Sequence, residues 1–143
     1  MNQHFYSTKY WDLILNPDQM YLGRLILSLK DDKTSLPEIS EEEQKDFFIL
    51  IKKLESFYKE KLNATMFNYS CLMNNAYRDN EKPHVHFHFR PRYIKPVEIL
   101  GLTFSDPNFG GHYISPSLKG VPPVQIPENI SDFIIKSIQD YLN

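Results

Sequence analysis

The chain has 143 residues, 41% of them apolar and 14% aromatic, which suffices for one domain with its own core and excludes a disordered chain. Its formal net charge of −2 excludes a general attraction to nucleic acid or to an anionic membrane, so any anion site must be local. A single cysteine, Cys71, excludes an internal disulfide and a multi-cysteine zinc site and fits a reducing, cytoplasmic setting; no secretory leader pattern opens the chain, and the longest purely apolar run, Phe47 to Ile51, is far too short to cross a bilayer.

Residues 1–20 are weakly patterned, with a first strand expected over Tyr10–Leu15 and closed by the turn residues Asn16-Pro17-Asp18. Alternation from Leu25 to Leu29, inside Tyr21–Lys30, predicts a second strand, and Asp31–Ser35 a loop. Ser40 followed by Glu43 is a capping box, with Glu41 and Glu42 favouring the same helix N-terminus. Phe47, Leu50, Ile51, Leu54, Phe57 and Tyr58 then recur at three- and four-residue steps, which predicts an amphipathic helix over residues 41–61. Its lysines, Lys52, Lys53, Lys59 and Lys61, read as a solvated face that suits the helix dipole.

Met66–Leu72 predicts a third strand ended by Asn74-Asn75, after which a polar connection, Tyr77–Lys82, leads through Pro83 to His84-Val85-His86-Phe87-His88-Phe89. That alternation predicts a further strand, able to pair with the third across the connection. Eight of the ten prolines lie between Pro83 and Pro127, so 94–128 is expected to be mostly irregular and draped over the sheet. Ile130, Phe133, Ile134, Ile138, Tyr141 and Leu142 mark a short C-terminal helix. The sum is a single α+β domain over 1–143. It has an antiparallel sheet of about five strands and one long helix, with a core over about 10–93 and a C-terminal extension from about 94 ending in the short helix.

On a strand, His84, His86 and His88 share one face while Val85, Phe87 and Phe89 point to the other. Alternate residues lie roughly 6.6 Å apart, so neighbouring imidazoles can bracket one small polar group. Three readings are open. As core histidines, all of their nitrogens would need partners. As metal ligands, two alternate histidines can chelate one ion, but the outer pair spans roughly 13 Å and a further ligand would have to come from His112, His4 or an acid. In phosphate chemistry, a neutral imidazole is a nucleophile near pH 7 and its neighbours donate to phosphate oxygens or protonate a leaving group. Arg78, Lys82, Arg90, Arg92 and Lys95 cluster around the motif and form a local anion-site candidate. Further on, Phe104 to Tyr113 places aromatics beside Gly110-Gly111 and His112. This loop either covers the site and stacks on a base, or packs on the sheet or on a dimer mate with His112 in a supporting place.

The motif resembles the signature of the histidine triad (HIT) family, three alternating histidines separated and followed by apolar residues. Here it runs His84-Val85-His86-Phe87-His88-Phe89-Arg90, preceded by Pro83 and followed by Pro91-Arg92-Tyr93. Gly23-Arg24-Leu25 and Ser35-Leu36-Pro37-Glu38 entering a long helix are similar too, so the resemblance covers about residues 20–93. It implies a nucleotide hydrolase or transferase acting at the α-phosphate of a nucleoside phosphate, of the dinucleoside polyphosphate or phosphoramidate type. By family pattern His86 is the nucleophile that forms a nucleotidyl-histidine intermediate, His88 contacts phosphate oxygens, and His84 orients His86. Asn74 or Asn75 would be a polar phosphate or triad contact, alongside Arg78, Lys82, Arg90 and Arg92 as phosphate-binding candidates. The resemblance further implies a homodimer with a continuous sheet and no metal required in the protein, with room for a divalent cation brought by the substrate. Neither nucleic acid nor membrane is an expected partner.

Three positions depart from the family pattern. The last apolar position of the signature is Arg90. Asp32 stands where relatives often place a histidine after the second strand. Tyr77–Pro83 replaces the usual turn before the triad, so Arg78 or Lys82 would substitute for its phosphate-contacting residue. The rival readings are a non-catalytic nucleotide-binding or interaction module with the same fold, and a metal-dependent enzyme using two of the histidines.

Overall fold

The computed structural model describes residues 3–115 and 121–143. In chain order the described residues form β1 (Gln3–Ser7), β2 (Trp11–Leu15), β3 (Leu25–Leu29), α1 (Glu41–Leu62), β4 (Met66–Ser70) and α2 (Asn74–Arg78). They continue with β5 (His86–Arg92), β6 (Val97–Ile99), β7 (Leu102–Phe104) and α3 (Glu128–Leu142). The first five strands make one antiparallel sheet in the spatial order β1-β2-β3-β5-β4, and β6 and β7 pair as a separate hairpin. This is the α+β architecture and the five-stranded sheet expected from the alternation pattern.

Strict alternation builds the core. Trp11, Leu13 and Leu15 of β2 lie opposite Leu29, Leu27 and Leu25 of β3, and all six are buried. They face α1, whose buried Phe47, Leu50, Leu54, Phe57, Tyr58 and Leu62 form one stripe. Burying each such side chain contributes about 1.5–3 kcal/mol. Rings close the layer: Trp11 sits 4.8 Å and Phe87 4.7 Å from Phe47, and Phe89 lies 5.3 Å from Tyr58. Val85, Phe87 and Phe89 therefore point into the core, and the histidines between them take the opposite face. The capping box forms as expected: the Ser40 hydroxyl accepts from the Glu43 amide, and the Glu43 carboxylate accepts from the Ser40 amide. Asn63, left-handed at φ 57°, ends the helix.

β5 runs through the sheet interior and yet contains Pro91, which has no N–H to give. Odd residues of β5 bond toward β3, as the Leu29 amide to the Val85 carbonyl shows. β3 begins at Leu25, opposite Phe89, so the missing donor of Pro91 faces no strand on that side.

Several elements differ from the sequence expectation. β1 forms although Gln3–Ser7 lacks an apolar alternation; it is an edge strand, held by β2 and by Gln139 of α3, whose amide donates to the Phe5 carbonyl at 2.9 Å. β5 starts at His86 rather than His84, because the Val85 amide is taken by the Lys33 carbonyl instead of a ladder partner. β4 ends at Ser70, and Asn74-Asn75 open a short helix behind Met73, left-handed at φ 53°. The segment 94–128 is less irregular than expected, since it contains the β6–β7 hairpin. Its two-residue turn, Leu100-Gly101, has φ of 49° and 84°, the positive pair that matches strand twist. The part of that expectation at 116–120 lies outside the described residues.

After the hairpin the chain crosses the sheet face opposite α1. Arg92 of β5 donates to both carboxylate oxygens of Asp106 at 2.7 and 3.1 Å, and to the carbonyls of Asn108 and Gly111. The Tyr21 hydroxyl donates to Asn108 and accepts from the Ile114 amide. Val124 exchanges bonds with Asp18 and the Gln19 amide. α3 then packs beside α1, with the Tyr141 ring 5.4 Å from Phe57.

Candidate functional site

The three histidines reach the face of the sheet that carries this strap, each fixed by a different partner. His84, just ahead of β5, donates through Nε2 to the Leu29 carbonyl at 2.5 Å, and its Nδ1 lies 3.9 Å from the Asp32 carboxylate. His86 places Nδ1 2.7 Å from the His84 carbonyl. A carbonyl only accepts, so Nδ1 carries the proton and Nε2 of the neutral ring keeps its lone pair. His88 is the reverse. Its Nδ1 lies 3.2 Å from Nη2 of Arg24, a group that only donates, so Nδ1 accepts and the neutral ring bears its proton on Nε2. The two rings stand edge-on with centroids 5.2 Å apart. Burial above all, then the charges of Arg24 and Arg90, pushes the His88 pKa down to about 3. His88 thus remains an uncharged Nε2–H donor at neutral pH beside the His86 ring.

His88 opens into a cavity of about 440 Å³ that Asn74, Asn75, Arg24, Arg90, Asp18 and Tyr113 also line. Arg24, at the entry to β3, is buried and paired with Asp18 at 2.8 Å. Its direction is set by Gly23, whose φ of +83° lets the chain pass against Tyr58, the phenol of which donates to the Gly23 carbonyl. Arg90 is buried beneath Tyr113, its guanidinium carbon 3.8 Å from the ring centre, and touches Ser70 at 3.3 Å. Burial lowers both arginine pKa values; Asp18 opposes that shift at Arg24, whereas at Arg90 the adjacent Arg24 charge adds to it.

The structure brings His84, His86, His88, Asn74, Asn75 and Arg90 into one neighbourhood. Lys82 stands at its rim and pairs with Asp32 at 2.6 Å, holding that carboxyl below its ordinary range beside His84. Arg78 is not brought in: it is exposed and pairs with Asp79 next to it. Arg92 shares the face but is consumed by Asp106 and the strap. His112 lines the cavity edge with its Nδ1 on the neighbouring Tyr113 carbonyl, and the bonds of Arg92 to Asp106, Asn108 and Gly111 pack the Phe104–Tyr113 loop on this chain's own sheet. Sequence reasoning missed Asp18 and Arg24 as site residues, whereas Tyr113 belongs to the aromatic loop it offered as a cover. Asn16-Pro17-Asp18 reads as a plain turn; the available signal was one arginine inside the otherwise apolar run Tyr21–Leu29. Among the described residues no three His, Cys, Asp or Glu side chains converge as a metal site needs. No helix among the described residues is long and apolar enough to cross a membrane.

No protein-family model matches the chain. In sequence it is similar to the nitrilase and fragile histidine triad fusion protein NitFhit of Caenorhabditis elegans, 28% identical over 88 residues, which are 62% of this chain and 20% of that protein. The chain thus spans one fifth of the length of the curated relative it matches. Among solved structures, a histidine triad protein from Marinobacter aquaeolei superposes with a TM-score of 0.71 at 20% identity, covering 99% of this chain and 88% of that one. The diadenosine triphosphate hydrolase of Plasmodium falciparum, solved with cyclomarin A, gives a TM-score of 0.55 at 23% identity over 68% of this chain and 65% of its own. The chain therefore has the histidine triad fold, and His86 and His88 stand on an interior strand of that sheet with His84 just ahead of it.

Proposed function

We propose that this protein is a nucleotide hydrolase or transferase that attacks the α-phosphate of a dinucleoside polyphosphate or nucleoside phosphoramidate through His86. The observation that carries the reading is the pair of opposite tautomers. The His84 carbonyl holds the His86 proton on Nδ1, which leaves the Nε2 lone pair as the nucleophile. Arg24 holds the His88 proton on Nε2, where it donates to a non-bridging phosphate oxygen that gains charge in the transition state. Nε2 of His86 forms a bond to phosphorus as the bond to the leaving group breaks, and the leaving group departs with that electron pair. Water then attacks the phosphorus, the P–N bond returns its pair to the imidazole, and the nucleoside monophosphate leaves; an acceptor alcohol or phosphate in place of water gives transfer. The histidine triad fold, shared with a diadenosine triphosphate hydrolase, supports this class of substrate. A cytoplasmic homodimer goes with the reading, and the outer edge of β4, paired only with β5, is the edge through which the sheet would continue.

The test is intact-mass spectrometry after brief mixing with a nucleoside 5′-phosphoramidate or a dinucleoside polyphosphate. Wild type should gain one nucleotidyl mass and His86→Ala none, with turnover abolished; His84→Ala and His88→Ala should impair turnover by smaller factors. Near-normal turnover by His86→Ala defeats the covalent route. Binding of AMP without adduct or product across both compound classes indicates a nucleotide-binding module instead.

A further inference from the structure

Arg24 and Arg90 are 6% and 2% exposed, and the Nε atom of each finds no hydrogen-bond partner among the described residues. Asp18 neutralises Arg24. Among the described residues Arg90 meets the Ser70 hydroxyl and the face of Tyr113, both uncharged. Two buried guanidiniums thus share one carboxylate, an arrangement that is expensive unless something else supplies negative charge. Both line the cavity beyond His88, with the side-chain amides of Asn74 and Asn75 on its exposed wall. Arg90 is two residues past His88 on the same face of β5, roughly 6.6 Å along the strand. Arg90 is also where this chain replaces the last apolar residue of the signature.

We propose that Arg24 and Arg90, with Asn74 and Asn75 opposite, form an anion-binding subsite beside the triad that holds a multiply charged leaving group. The subsite serves the reaction proposed at His86 and rests on that reading. It selects polyphosphate esters over phosphoramidates, whose amine leaving group brings no charge to the cavity. The guanidinium charges of Arg24 and Arg90 attract the leaving phosphates and the Asn amides donate to them, while His88 holds the phosphate under attack.

Calorimetric titration of the full chain with inorganic tripolyphosphate at low salt tests this without any turnover. Wild type should bind. Arg90→Gln should bind about 10- to 100-fold more weakly, and Lys136→Gln, exposed on α3 and outside the site, as well as wild type. Asn75→Leu, on the exposed wall, provides a second variant should Arg90→Gln fail to fold, and a weakening of severalfold is expected there. No binding to wild type, or undiminished binding by Arg90→Gln or Asn75→Leu, overturns the subsite. The adduct from a phosphoramidate separates the two ideas: adduct without tripolyphosphate binding rejects the subsite alone, and binding without adduct from either substrate class rejects the covalent route alone.

Discussion

Arg24 donates in two directions at once, to the Asp18 carboxylate through Nη1 and to the His88 ring through Nη2. His88, buried beside that guanidinium, ties stability to pH. Its folded pKa of about 3 lies below the ordinary value of 6.5, so between those values the unfolded chain binds the extra proton. This contribution is complete above pH 6.5 and is lost as pH falls toward 3. From pH 7 to pH 5 wild type should lose about 2 kcal/mol more than His88→Gln, read from denaturant midpoints at the two pH values. Equal losses would mean that His88 is solvated and free to protonate. At this scale the histidines were legible because alternation alone puts them on one face. Their tautomers were not, since His88 is set by an arginine 64 positions away in the chain.

Short elements aim these groups, and Gly23 is the tightest joint among them. At φ +83° an L side chain is strained, and a Cβ there would lie 2.4 Å from the buried Tyr58 ring. Gly23→Ala should cost roughly 2–5 kcal/mol in chemical denaturation, strain and overpacking together. A loss below about 1 kcal/mol would show that the turn carrying Arg24 has slack. α1 and β2 to β5 were readable because their periodicities are long and mutually consistent. β1 was not, because Gln3–Ser7 has no apolar rhythm and is a strand only through β2 and α3. The β6–β7 turn escaped notice for a different reason: Leu100 takes a positive φ that Asn or Gly usually signals.

Across the whole molecule, the strap is fastened to the triad strand by an ion pair out of contact with water. The side chains of Arg92 and Asp106 are 3% and 1% exposed. Asp106→Ala leaves a buried guanidinium without its carboxylate and should cost about 3–5 kcal/mol, with amide exchange rising along 106–114. Unchanged exchange there would mean that Asn68, Asn108 and Gly111 suffice to hold Arg92. The opposite side of the same strand has an optical consequence. Trp11 is the chain's one tryptophan; it is fully buried, donates to the Glu43 carbonyl, and has Phe87 6.0 Å away. Its fluorescence is therefore a built-in gauge of the residue that sits between His86 and His88. A triad variant that keeps the emission of a tryptophan shielded from water has lost its chemistry while the strand beneath it remains in place.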